Sequence, residues 1–201
     1  MKQREYQRLK QSCIRFFKDI YREDEREIVF GEGNLNARIV LVGEAPGEQE
    51  SIHGRPFVGQ AGKNLKDFLD ILQLKRESLY ITNAVKFRPY KVNPESGRKT
   101  NRPPNREELE LSCPWLLKEL DLVDPEIVVT LGNIALRTMT GDGRKNIGSV
   151  HGRPLEVELP DAERKYLLFP LYHPASIIYR KSLRTTYMED LKKLKAYLEA
   201  H

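Results

Sequence analysis

The sequence predicts an α/β protein, a three-layer α/β/α sandwich around a mainly parallel four-stranded sheet. Four short apolar or β-branched runs carry that expectation: Arg38–Gly43 (RIVLVG), Leu79–Asn83 (LYITN), Glu126–Gly132 (EIVVTLG) and Tyr166–Leu171 (YLLFPL). Each ends where polar residues begin, as strands buried on both faces do. Segments with helical spacing of apolar residues alternate with them, which argues for helices on a parallel sheet. The 201 residues, 39% hydrophobic and 31% charged, fit a single domain over 1–201 with a sizeable core. They exclude wholesale disorder, a collagen-like repeat and a coiled coil.

Taken in order, residues 4–22 place Tyr6, Leu9, Cys13, Phe16, Phe17 and Ile20 near helical spacing, an amphipathic N-terminal helix. A charged turn, REDERE, leads toward the first strand. Gly62–Leu74 follows as a helix with Leu65, Phe68, Leu69 and Leu72 on one face, completing a strand-helix-strand unit. After the second strand, Pro103 and Pro104 precede a helix at Arg106–Leu120, capped by Asn105 with Glu108 three residues on. Gly132 ends the third strand and opens a helix at Asn133–Thr140, and Thr185–Leu198 is a closing helix rich in Lys and Leu.

The stretch Lys86–Arg106 breaks this rhythm. It is long, rich in Pro, Gly and Asn, and dense in cations: Lys86, Arg88, Lys91, Arg98, Lys99, Arg102 and Arg106. Loops of this length in compact domains are functional or disordered. The cations favour a phosphate-contacting arm, with Tyr90 available to stack on a base. The overall charge of +5, from 34 Lys+Arg against 29 Asp+Glu, is too mild to identify a partner alone.

No apolar run approaches the roughly 18 residues of a membrane helix, and the opening MKQREYQRLKQ is unlike a secretory signal. The expectation is a cytoplasmic protein. Cys13 and Cys113 are too few for a disulfide framework and read by default as small core hydrophobes. His53, His151, His173 and His201 show no metal-ligand spacing.

In open α/β sheets ligands bind outside the carboxyl ends of the strands. There stand Gly43-Glu44-Ala45-Pro46-Gly47-Glu48-Gln49-Glu50, Asn83, Gly132-Asn133 and Tyr172-His173-Pro174-Ala175-Ser176. The first segment has neither dinucleotide nor Walker spacing, and the chain has no nucleophile elbow. The acidic turn fits either a pocket rim or a plain surface turn. Asn83 offers an acceptor and two donors in one plane, suited to a nucleobase edge or to nearby backbone. His173 fits a donor to developing negative charge or a core histidine.

Together GEAPGEQE, GRPFVGQAG, YITNAVK and YHPAS resemble the uracil-DNA glycosylase superfamily, specifically its family 4, across roughly residues 28–198. The resemblance implies base flipping and hydrolysis of the N-glycosidic bond of uracil in single- or double-stranded DNA, releasing free uracil from an abasic site. It implies a monofunctional, cytoplasmic and nucleoid-associated monomer of bacterial or archaeal type. By the same resemblance Ala45 and Gly47 contact the base and Glu50 crowds its C5. Phe57 stacks on it, Asn83 binds its O4 and N3 edge, and His173 donates to O2. Glu44 positions water, although better-known relatives carry Asp where Ala45 stands. Arg88, Arg98, Lys99, Asn101 and Arg102 face DNA from the basic stretch. After His173, Ser176 and Arg180 contact phosphates, and Ile177 or Ile178 wedges into the duplex or packs in the core.

Family-4 enzymes hold an iron–sulfur cluster on four cysteines. By the resemblance two of them form an N-terminal C-x-x-C and two lie near the positions of Phe87 and Cys113; this chain reads Cys13-Ile14-Arg15-Phe16 at the first site and Lys86-Phe87-Arg88 at the third, so two ligands are missing. The expectation is no cofactor, with Phe16 and Phe87 filling the volume. A related branch traps the sugar on a histidine near the position of Asn101. Asn is a poor nucleophile, which disfavours such trapping here. Two other readings stay open: a uracil-DNA or abasic-site binding module, and a glycosylase broadened to other deaminated bases such as hypoxanthine or xanthine.

Overall fold

A computed structural model describes residues 1–22, 24, 26–158, 164–179 and 181–200, with backbone alone at 61, 64, 178, 179 and 181. Its strands are β1 (Glu32–Gly33), β2 (Ile39–Gly43), β3 (Tyr80–Asn83), β4 (Tyr90–Val92), β5 (Lys99–Asn101), β6 (Ile127–Leu131), β7 (Leu155–Glu158) and β8 (Lys165–Leu171). The helices are α1 (Lys2–Ile20), α2 (Glu48–His53), α3 (Gln60–Leu72), α4 (Arg106–Val123), α5 (Gly132–Thr140), α6 (Ile147–Val150), α7 (Ser176–Tyr179) and α8 (Lys181–Ala200).

The four expected strands are β2, β3, β6 and β8, paired in parallel in the order β3-β2-β6-β8. The sheet among the described residues has six strands rather than four. β1 pairs antiparallel with β3 at one edge and β7 antiparallel with β8 at the other. Neither edge gave an apolar run to read: β1 has two residues, and in β7 only Val157 is buried.

Side chains alternate across the sheet, which produces the three layers. Val40, Val42 and Val128 face Cys13 and Phe17 of α1, Leu116 and Leu120 of α4, and Ala135 and Met139 of α5. Ile39, Leu41, Ile81 and Val129 face Leu65, Phe68 and Leu72 of α3, and Tyr187, Leu191 and Leu194 of α8. Asn105 caps α4 as expected: its Oδ1 accepts from Glu108 N at 2.8 Å while its own N–H donates to Glu108 Oε2 at 2.9 Å. The closing helix begins at Lys181, earlier than the expected Thr185. Within 86–106 the structure has a hairpin, β4 with β5, rather than an unbroken loop. Gly97 turns it at φ 67°, and Asn93 Oδ1 accepts from Glu95 N and Ser96 N. No helix among the described residues is long and apolar enough to cross a membrane.

The chain runs from β2 to β3 on one side and returns to β6 on the other, so the direction of winding reverses between β2 and β6. A crevice at the carboxyl ends of strands belongs at that point.

Candidate active site

β2 ends at Gly43, paired with Asn83 at the end of β3. A Cβ on Gly43 would collide with Asn83 Oδ1 and with the Phe57 ring. Only glycine therefore lets the amide and the ring come together over the strand end. Asn83 is 2% exposed, and the turn beyond it is fastened to β2 by Ala84 N to Gly43 O (2.9 Å) and Val85 N to Glu44 O (3.0 Å).

Phe57 is a non-glycine residue at φ 53°, a conformation that costs of order 1–3 kcal/mol and persists only where its surroundings impose it. Those surroundings are explicit. Arg76 donates to Phe57 O at 3.2 Å and Pro56 O at 2.7 Å. Glu32 in turn pairs with Arg76 (3.4 Å) and Arg55 (2.9 Å). Burial works to raise the Glu32 carboxyl, and the two arginines overcome it, holding it below the ordinary carboxylate value. On the other side of Phe57, Glu50 Oε1 accepts from Val58 N (3.0 Å) and Gly59 N (2.7 Å), and Oε2 from Gly47 N (3.1 Å). Glu50 thus lines the cavity as a brace between two loops, with both oxygens engaged by backbone.

His173 follows β8. Its Nδ1 accepts from Ala175 N at 3.1 Å, which assigns the proton of the neutral ring to Nε2. Burial pushes its pKa down to about 4, so the ring is a neutral donor at physiological pH. Half-buried Ser176 fastens this turn: its Oγ and N both donate to His173 O, at 2.7 and 2.8 Å. The imidazole lies 6.3 Å from the Phe57 ring, centroid to centroid.

Ala45, Gly47, Glu50, Phe57, Asn83 and His173 enclose a cavity of about 340 Å³, room for a flat heterocycle with an aromatic face, an amide edge and an imidazole donor. His173 also borders a cavity of about 650 Å³ with Glu44, Asn133 and Asn146, and one of about 180 Å³ with Glu44, Pro46 and Asn101. Burial raises the Glu44 carboxyl above its usual value, which suits it to hold a proton transiently.

The basic stretch is more internally committed than its composition implied. Arg102 makes two hydrogen bonds to the buried Glu108, both 2.7 Å. Arg88 reaches Asn101 Oδ1 (2.7 Å) and Glu48 Oε1 (3.1 Å). Tyr90 is already engaged within the protein: its hydroxyl donates to Asp24 at 2.6 Å, and Lys99 Nζ lies 4.2 Å over its ring. Arg98 and Lys99 remain solvent-exposed. Ile177 is not a wedge; at 6% exposure it packs in the core on the α3–α8 side of the sheet. Arg180 and the side chain of Ile178 lie outside the described residues.

Sequence reasoning missed a buried ion pair beneath Asn83. Lys86 and Glu119 are both wholly buried. Lys86 Nζ donates to Glu119 Oε2, to Thr82 Oγ1 (2.8 Å) and to Asn83 O (2.8 Å). Glu119 also accepts from Gly31 N, Tyr80 OH and Thr82 Oγ1. A lysine between apolar residues in NAVKF was the only local signal, and Glu119 reads as one more helical charge. His151, whose Nδ1 lies 2.5 Å from the buried Asp190 and whose ring packs on Tyr172 beside His173, was likewise missed.

The residues present do not fit a four-cysteine iron–sulfur cluster. The chain has two cysteines, where such a cluster needs four thiolates. The Cys13 thiol is pushed up to about 12 by burial, the opposite of a metal-binding sulfur. Phe17, not Phe16, fills the space against Phe87, with rings 5.3 Å apart. Phe16 lies at the rim against Trp115, and Arg26 covers the Tyr21 and Phe87 rings at 4.0 and 4.8 Å. Among the described residues no group of three or more His, Cys, Asp or Glu is placed to hold a metal.

A parallel-sheet sandwich with a heterocycle-sized cavity at its winding reversal agrees with a family-model match: residues 30–198 match the uracil DNA glycosylase superfamily, and the chain belongs to it. Its relatives include several type-4 enzymes. It is 38% identical over 169 residues to the type-4 uracil-DNA glycosylase of Sulfurisphaera tokodaii, covering 82% of this chain and 72% of that one. It is 39% identical over 167 residues to that of Archaeoglobus fulgidus (82% and 78%), and 36% over 174 residues to that of Thermotoga maritima (86% and 83%).

Proposed function

We propose that this protein excises uracil from DNA by hydrolysing the N-glycosidic bond, leaving an abasic site. The observation that carries the reading is the convergence of Asn83, Phe57 and neutral His173 on one cavity. The flipped base stacks on Phe57, and Asn83 pairs with its O4 and N3. Ala45 and Gly47 supply backbone contacts, and the wall braced by Glu50 leaves no room for a 5-methyl group. Flipping costs a few kcal/mol for a paired base and less for a mispaired or single-stranded one.

The C1′–N1 bond breaks with its electron pair leaving on uracil, and His173 Nε2–H donates to O2 as negative charge grows there. One such donor in a water-poor site is worth roughly 3–4 kcal/mol. Water adds its oxygen to the cationic C1′ and passes a proton to Glu44. Two thiols and a packed aromatic cluster support a catalyst that works without an iron–sulfur cluster. Exposed Arg98 and Lys99 are the phosphate contacts of the hairpin.

The test is incubation with end-labelled single-stranded DNA carrying one uracil, followed by alkali. Cleavage at that position, abolished in His173→Ala, is the expected result. Selective binding of uracil-DNA without cleavage would replace the enzyme by a binding module.

A further inference from the structure

Asn101, the last residue of β5, stands where two cavities meet: the one holding Phe57 and Asn83, and the small one lined by Glu44, Pro46 and His173. A primary amide has two chemically different ends, and here chemistry decides which is which. Arg88 Nε is a donor only, and it lies 2.7 Å from the end that must therefore be Oδ1. Arg88 is itself pinned through NH1 to Glu48 Oε1 (3.1 Å) and NH2 to Lys99 O (3.3 Å), with its side chain 13% exposed. The opposite end, Nδ2, then points at the Ala45–Gly47 turn: a Cβ on Gly47 would sit 3.5 Å from it. The amide N–H groups thus lie beside a cavity that Glu44 and His173 also line.

We propose that Asn101 is a catalytic residue that donates from Nδ2 to the attacking water, and that Arg88 is the positioning residue that turns the amide to do so. This rests on the glycosylase reading above. A water in that cavity gives one proton to Glu44, accepts from Asn101 on one lone pair and keeps the other for C1′. The O–C1′ bond forms, the C1′–N1 bond breaks with its pair on uracil, and the proton resides on Glu44. Asn101 contributes no bond to the sugar and exchanges no proton.

The experiment is single-turnover excision from uracil- and 5-fluorouracil-containing single strands, with DNA affinity measured alongside. Asn101 is solvent-exposed, so Asn101→Ala leaves the fold in place. Its excision rate is expected to fall by about 10- to 100-fold with affinity within about twofold, the size of effect expected when a reacting group is misplaced. The fold-loss is the same for both bases, because the residue acts on the nucleophile, whereas the loss in His173→Ala shrinks with the better leaving group. Arg88→Met reproduces most of the loss and adds nothing to Asn101→Ala. An unchanged excision rate, a loss confined to affinity, or multiplying losses in the double variant each overturn the proposal while the glycosylase reading stands. Wild-type protein that leaves uracil in place refutes both.

Discussion

Replacing Lys86 by Met tests whether the buried ion pair holds the floor of the site. The two side chains are of similar length, so the change deletes a charge and three donors while nearly conserving volume. Glu119 keeps Gly31 N at 2.8 Å, Thr82 Oγ1 at 2.7 Å and Tyr80 OH at 3.2 Å, but loses the counter-charge it pairs with, both side chains being wholly buried. Breaking such a pair from one side costs about 3–5 kcal/mol, roughly a third to a half of a stability of about 10 kcal/mol. Urea unfolding should show a lower midpoint at unchanged slope. Glu119→Gln alone strands the ammonium and costs a similar amount. In the double variant neither charge is left alone, so its loss falls short of the sum of the singles by about 2 kcal/mol or more. The folded fraction of Lys86→Met should also discriminate uracil from cytosine less well, because Asn83 O loses its donor. A loss below about 1 kcal/mol for Lys86→Met, or strict additivity, would refute a coupled buried pair.

Other outcomes follow from the same geometry. Because burial raises the Glu44 carboxyl and it must be ionised to accept a proton, excision should fall as pH drops through a value above 4.5, and Glu44→Gln should abolish that limb in a pH–rate profile. His173 does not set it, since it stays neutral down to about pH 4. The unfolded chain binds a proton near pH 6.5 that the folded imidazole refuses, so stability measured by urea unfolding should decline as pH falls from about 6.5 toward 4, less so in His173→Ala. Gly43→Ala should reduce excision at least about tenfold, by driving Asn83 and Phe57 apart, in an assay that leaves DNA affinity nearly unchanged. Replacing Arg98 and Lys99 by Ala should lower the salt slope of DNA binding by about two, whereas Arg102→Ala should lower the melting temperature instead, because its partner is Glu108. Purified protein should be colourless and free of iron by elemental analysis.

The parts of the fold buried on both faces were legible, because nothing but a central strand explains RIVLVG or EIVVTLG. The edges were not, since a two-residue strand leaves no periodicity. Asn83 and His173 could be found by position alone, as polar residues where apolar strands stop. The basic stretch misled for a physical reason: a cation's sign is visible in sequence but its partner is not, and Glu48 and Glu108 are brought to Arg88 and Arg102 by the fold. Phe16 and Phe17 differ only in helical phase. With Tyr6 and Cys13 on the inner face of α1, the residue four after Cys13 turns inward, and it is Phe17. The handedness of Phe57 had no signal except Gly62, where a side chain would run into the Phe57 carbonyl.

On the proposed function, that handedness places part of the control of base selection on the outside of the molecule. The ring that would receive the base is held by Arg76, and Arg76 by Glu32, in an ion pair that salt and solvent can reach. A change at Glu32 alters no atom of the cavity wall, yet it releases a backbone that prefers another conformation. Selection for a wider or narrower range of damaged bases can therefore proceed through surface charges, leaving the groups that perform the chemistry untouched.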